Sequence, residues 1–482
     1  MQPNSNVLPA GAPLHRIALI LLMLLAMAVS LDHVRRWFTG LPPDLRAFYA
    51  AGQLVDRRVS PYTVEPLLSR ERALTGPHAT QPIAAPVPLP PYDLVAFGLL
   101  ARLPVRAAAA CMGMLTIGAA FVIAAATHRP ARIPFPLAAA VAFAAVVYSA
   151  SGLGQIAPIA IALLALALWA LRTGRERTAG LAVAASLIQP QIAVGAFIST
   201  LLFVPKARLS ALAVVLIAAL ASSLTLPEAV ITEYAGVLKI HALAEIHFPA
   251  QYSLTWLAAR FGAPPESALW AGAGSSALFL LTSLTIVARA SRMARANGAV
   301  IAVPAAFAVL GGSFLHEHQL ALALLPALLY SRPTRSLFDS LWALAVLVIP
   351  FSSFLTLESF WPNPSAYPSI FIAFATAAAL LYQRSLPLGP ALAARKASLV
   401  TAGLLVLFLV MAKFRPIVQM LLPNIPIIPG ENASLAWNLF CESANAAFHS
   451  AWYPLLVKIP VWLGASIIAL CAARNVEAPA CT

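Results

Sequence analysis

Charge is what this chain of 482 residues has least of. Only 10% of its residues are Asp, Glu, Lys or Arg, while 61% are hydrophobic; soluble globular domains carry about 25% charged residues. Such a chain cannot present the polar surface that a water-soluble fold needs, which excludes a soluble enzyme. Acids are scarcer still, 17 against 31 bases, and the formal net charge is +14. No basic run is interleaved with aromatic residues in the manner of a nucleic-acid groove, so the surplus does not point to nucleic acid. Cysteine is rare too. The four residues Cys111, Cys441, Cys471 and Cys481 are scattered, which leaves no disulfide framework and no metal spacing. No internal repeat and no soluble domain is legible, so residues 1–482 read as a single integral membrane domain.

What the chain has instead is apolar runs. A helix needs about 17–25 apolar residues to cross the hydrocarbon core. The runs Ile17–Leu31, Ala107–Thr127, Ile133–Ala150, Ile156–Leu171, Leu209–Leu226, Ser267–Val287, Leu337–Leu355, Tyr367–Tyr382, Ala397–Ala412 and Ala451–Ala473 approach or meet that length. Two further apolar regions are interrupted by polar residues. Thr178–Val204 is split at Gln189-Pro190-Gln191, and Ala299–Tyr330 is split at His316-Glu317-His318-Gln319. Each reads as a pair of short helices, a form tolerated at membrane depth only where it lines a protein cavity. The short stretch Gln251–Gly262 suits the interface better than a span. The expected fold is all-α, a polytopic transmembrane bundle of about 12 to 14 membrane segments including the broken pairs.

The bases fix an orientation. Arg129 and Arg132, Arg172, Arg175 and Arg177, Lys206 and Arg208, Arg289, Arg292 and Arg295, Arg332 and Arg335, and Arg384, Arg395 and Lys396 fall in successive turns on the side of the N-terminus. Positive turns face the cytoplasm. Both termini are therefore expected inside, in an inner (cytoplasmic) membrane, with the long stretch 32–106 as the first external loop. The arginines of that stretch, such as Arg35, Arg36, Arg57 and Arg58, argue locally the other way, but the short turns agree with one another.

The external stretch opens with a carboxylate. Asp44 follows Leu41-Pro42-Pro43 and begins an amphipathic segment in which it shares a helical face with Phe48 and Ala51. Asp is a common helix N-cap, and that role is compatible with chemistry at the membrane surface. Two proline-rich elements follow, VSPYTVE at 59–65 and PVPLPPYDLVAFGLLARLP at 86–104, both readable as plain loop stiffening.

The order of these boxes resembles that of glycosyltransferase family 87, of the GT-C superfamily. The matching residues are Asp44 to Gly52, Ser60-Pro61-Tyr62, Leu89-Pro90-Pro91-Tyr92 with Leu103-Pro104, Gly154-Gln155, and Ala179 to Gln191. The resemblance implies a GT-C-type bundle, a polyprenyl-phosphate-linked sugar as donor, typically mannose, and a catalytic carboxylate in the first external loop, here Asp44. It implies a lipid or glycan acceptor and membrane lipids as the other partners. It also marks one departure: many relatives carry Lys where this chain has Gln189.

The chemistry agrees with the resemblance. A lipid phosphate is a good leaving group, so one base on the acceptor hydroxyl suffices, while the departing phosphate needs cations or oriented donors. Arg46, Arg57, Arg58, Lys239, His241, His247 and Arg260 are candidates for the latter, each also readable as a headgroup contact. Tyr49, Tyr62, Tyr92, Gln155, Gln189, Gln191 and Gln251 complete the substrate-binding candidates, with His316, Glu317 and His318 from the second polar break. His-x-His is a weak metal signal; a divalent cation shared with Asp44 is conceivable, and no cofactor is expected. The competing classes are a secondary transporter, which also uses broken helices, and a non-catalytic lipid-carrier-binding assembly subunit.

Overall fold

A computed structural model of the chain describes residues 12–75, 84–248, 250–292, 298–330, 366–413, 431–446 and 453–476. The architecture is all-helical. Among the described residues no named strand occurs, only the isolated bridges Thr63 with Asn432 and Gln251 with His316. Among the described residues five helices are long and apolar enough to cross a membrane: Pro13–Phe38, Val105–Thr127, Pro205–Thr225, Pro265–Arg292 and Pro368–Leu388. Five shorter apolar helices accompany them, Pro91–Leu100, Phe135–Ser151, Ala157–Arg172, Pro190–Phe203 and Ala299–Ala308. Against the 12 to 14 membrane segments expected, the described residues thus give five full-length candidate spans and five shorter apolar helices. The run Leu337–Leu355 lies outside the described residues.

Proline does more than stiffen loops. Pro43, Pro91, Pro190 and Pro205 each stand in the first turn of a helix, where a missing N–H costs nothing and the fixed φ suits the helix. The bundle interior is built from small residues, among them Ala138, Ala139, Ala140, Ala160, Ala165 and Ala167, all fully buried. Small side chains let helix backbones approach closely, the main route to tight packing where lipid is as apolar as leucine. The leucines of Pro205–Thr225 point outward instead. Leu209, Leu216 and Leu224 are 70–81% exposed, the pattern of a face turned to acyl chains.

The stretch 32–106 is not a loop in the ordinary sense. Its described residues form the helices Pro43–Asp56, Val64–Thr75 and Pro91–Leu100 over a hydrophobic core that includes Trp37, Phe48, Leu67 and Phe97 and is completed by Met112, Ile156 and Val230 from outside the stretch. Pro43–Asp56 packs along Pro91–Leu100, and Gly52 makes that possible, since a Cβ there would overlap the Phe97 carbonyl. Both broken apolar regions do break where expected. Glu176–Ala185 and Pro190–Phe203 flank Gln189, while Ala299–Ala308 and Leu324–Tyr330 flank the turn that carries His316.

Candidate active site

Asp44 sits in the first turn of Pro43–Asp56, where the helix dipole favours an ionised carboxylate. Pro42, not Asp44, is the N-cap residue, and no side chain caps this helix. The capping role weighed for Asp44 is therefore not the one it plays. The start of the helix is instead anchored to the turn after Phe135–Ser151: the Asp44 and Leu45 N–H groups reach the Leu153 carbonyl at 3.0 and 3.4 Å, and Trp37 Nε1 donates to the Ser151 carbonyl at 3.0 Å.

Gly154 permits this docking. Its φ is +75°, and a Cβ would lie 2.5 Å from Pro42 Cγ and 2.6 Å from Leu45 Cβ. Only glycine fits such a backbone at such a distance. The next residue then meets the carboxylate: Gln155 Nε2 donates to Asp44 Oδ2 in a short hydrogen bond. The Gly154-Gln155 pair is thus a docking glycine followed by the side chain that orients Asp44.

Close enough to Asp44 to act on its charge lies a carboxylate that sequence reasoning missed. Glu245, just past Glu228–Ala244, is 6% exposed and gathers donors from four directions. His316 Nε2 lies 2.9 Å and His241 Nε2 3.5 Å from its oxygens, Gln251 Nε2 donates at 3.0 Å, and Trp437 Nε1 donates at 3.2 Å. Gln251 uses its other end too, accepting from the Leu315 N–H at 2.9 Å. His316 stacks on His318 with ring centroids 5.4 Å apart and stands edge-on to Phe314. The polar break at Gln189 joins the same turn: its Oε1 accepts from Gln319 Nε2 at 3.0 Å and from Gln191 Nε2 at 2.9 Å. Gln319 in turn accepts from the His316 N–H.

These charges act on one another. Burial pushes the Asp44 carboxyl up to about 6; the Gln155 hydrogen bond and the nearby His316 pull it down in part, and Glu245 and Glu317 add to the rise. Burial would raise Glu245 as well, but His316 and His241 outweigh it and hold that carboxyl down at about 2. His316 answers in the opposite sense: burial works against its charged form, and Glu245 overcomes this and raises it. The result is a Glu245 carboxyl whose charged form is favoured by the two histidines, a His316 ring whose charged form is favoured by Glu245, and an Asp44 carboxyl lifted to about 6. Glu317 is 2% exposed, and burial raises it; its Oε2 has no hydrogen-bond partner among the described residues, nor does His318 Nδ1.

Other candidates fall elsewhere or serve the fold. Tyr49 is buried and its hydroxyl donates to the Leu103 carbonyl at 2.8 Å, which ties Pro43–Asp56 to the Leu103-Pro104 box. The Tyr92 hydroxyl donates to the Leu187 carbonyl at 2.6 Å, bracing the break before Gln189. Tyr62 lies where the main chain pairs with the C-terminal segment, its carbonyl accepting from the Ala433 N–H at 2.7 Å. Arg46 is half-buried and close enough to Asp44 and Glu71 to feel both charges. Arg57, Arg58 and Lys239 are exposed, and His247 and Arg260 are half-buried. Among the described residues no group of three His, Cys, Asp or Glu side chains is arranged to hold a metal ion.

The boxes that brace this cluster, from Leu89 through Gly154-Gln155 to His316, form one continuous stretch of chain. Residues 89–316 match the family model of glycosyltransferase family 87. Over those residues the chain is similar to a family of membrane glycosyltransferases of GT-C type. The match covers just under half of the chain and ends at His316, and Asp44 lies upstream of it. No curated protein and no solved structure matches the sequence. The family match favours a transferase over the transporter and the assembly subunit.

Proposed function

We propose that this protein is a membrane glycosyltransferase that moves a sugar from a polyprenyl-phosphate donor to an acceptor hydroxyl on the external face of the inner membrane, with inversion at the anomeric carbon. Asp44 is the general base. Its carboxylate takes the proton of the acceptor hydroxyl as that oxygen attacks the anomeric carbon from the face opposite the phosphate. The bond from carbon to phosphate oxygen breaks, and polyprenyl phosphate leaves with the bonding pair.

The arrangement supports each requirement. A base that works at neutral pH is best when its pKa lies near the working pH, and burial lifts Asp44 to about 6. The departing phosphate needs positive charge fixed beforehand; the His316 ring, held by Glu245 at 2.9 Å, supplies it, with Arg46 as a second cation. Gln155, Gln189, Gln191 and Gln251 orient the groups around them, while Glu317 and His318 carry buried oxygen and nitrogen atoms that have no hydrogen-bond partner among the described residues. The acceptor is a lipid or glycan with a hydroxyl to offer, and the prenyl chain of the donor reaches the site from the bilayer.

The observation that carries the proposal is the pairing of Asp44 with Gln155 beside the His316–Glu245 ion pair. It is tested by Asp44→Asn in full-length protein reconstituted in nanodiscs and supplied with a polyprenyl-phosphate sugar. Transfer should fall by roughly 10²–10⁴-fold while the protein stays folded; transfer kept near the wild-type rate removes Asp44 as the base.

A further inference from the structure

Lys458 lies in the last described helix, Tyr453–Asn475, in an otherwise apolar run, and it is fully buried. Taking a lysine amino group out of water is unfavourable unless it finds partners, and an ionisable residue in a membrane helix is by default a functional candidate. Here the amino group donates to the Gln251 carbonyl and lies 4.3 Å from the Tyr252 ring centroid and 4.4 Å from that of Trp256, the geometry of a cation–π sandwich. One turn further along the same face, Trp462 Nε1 donates to the Tyr252 carbonyl at 2.9 Å.

The residues held in this way are those from which the reacting cluster hangs. The Gln251 side chain bonds Glu245 at one end and the Leu315 N–H at the other. The Tyr252 N–H closes a second bond to the Leu315 carbonyl at 2.6 Å. Glu245 then fixes His316, and Trp437, from the helix Ala433–Ala446, steadies the free side of Glu245. Lys458, Trp462 and Trp437 all lie beyond residue 316, outside the stretch that the family match covers.

We propose that Lys458 is a positioning residue: with Trp462 it clamps the Gln251-Tyr252 turn, and so holds Glu245 and His316 in register with Asp44. The clamp touches no substrate. It acts through main-chain carbonyls, so its loss loosens the geometry of the reacting groups without removing any of them. The kinetic part of this inference rests on Asp44 being the base.

The test uses full-length Lys458→Met and Trp462→Phe in nanodiscs, with two readouts. Hydrogen exchange at the Tyr252 and Leu315 amides should speed up about tenfold in Lys458→Met, the size expected for losing roughly one net hydrogen bond, while amides of Val105–Thr127 keep their protection. Turnover with a polyprenyl-phosphate sugar should fall about tenfold in kcat, with the donor KM within about threefold, as for an interaction that matters in the transition state. Unchanged exchange at Tyr252 and Leu315 overturns the clamp, and so does a rise in KM at unchanged kcat. Should Lys458→Met fail to fold, Trp462→Phe, which keeps an aromatic ring and removes the N–H, decides in its place: faster exchange at the same two amides supports the clamp, and unchanged exchange overturns it. If the wild-type protein transfers no sugar, exchange alone judges the clamp, and the failure belongs to the proposed transfer reaction.

Discussion

Gln155 Nε2 donates its hydrogen bond to Asp44 Oδ2 across 111 residues of chain. The bond joins the first helical layer to the membrane bundle at the point where Gly154 lets the two touch. The orientation of the proposed base is therefore set by a residue that no local feature around Asp44 announces.

Asp44→Asn should lower transfer by roughly 10²–10⁴-fold, the usual contribution of a general base. Stability should not fall with it. A carboxyl whose folded pKa is raised contributes stability below its unfolded value and loses it as the pH rises through about 6. At pH 7.5 the buried charge opposes folding, so Asp44→Asn should melt at or above the wild-type temperature, with the difference shrinking as the pH drops below 4. A variant that melts well below wild type at pH 7.5 would contradict this.

The pH profile of kcat/KM should show an acid limb near 6, activity declining as Asp44 gains its proton. Because the Gln155 bond pulls Asp44 down, Gln155→Leu should move that limb to higher pH. A limb that stays in place would show that another group titrates.

Gly154→Ala tests the docking of the helix that carries Asp44. A Cβ at φ +75° against Pro42 and Leu45 should cost at least about 1 kcal/mol in backbone strain, with the close contacts adding to it. The expected result is a lower melting temperature together with a drop in kcat; an unaltered protein would mean that the turn relaxes freely.

Glu245→Gln should depress both turnover and melting temperature, since it leaves a buried imidazole without its counter-charge. Combined with His316→Gln, the two losses should not add. A double-mutant cycle yielding full additivity would separate the pair.

Gln189→Lys is expected to weaken the protein, although the resemblance offers lysine at this place. Gln189 Oε1 accepts two hydrogen bonds, from Gln319 and Gln191, and lysine can only donate. A fall in melting temperature checks this; a rise in donor affinity without such a fall would restore the reading of Gln189 as a phosphate contact.

The sequence by itself determined the class of the molecule. Its poverty in charge and its long apolar runs require a helical membrane bundle, because only helices or closed barrels satisfy every backbone group in lipid. The polar breaks at Gln189 and His316 were also legible, since each interrupts a helix-forming run. The order of the proline, glycine and glutamine boxes pointed to the family that the match over 89–316 bears out. What the boxes do physically was not legible. Tyr49 and Tyr92 looked like substrate contacts, yet their hydroxyls are engaged with main-chain carbonyls, a use that spacing along the chain cannot reveal. Glu245 and Lys458 went unnoticed for the opposite reason: one stands alone after an ordinary helix and the other alone in an apolar run, with no motif around either. Only the tertiary structure brings Asp44, Gln155, Glu245, Gln251, His316 and Lys458 to one place, because the hydrogen bonds that join them span separations in sequence over which no local periodicity carries information.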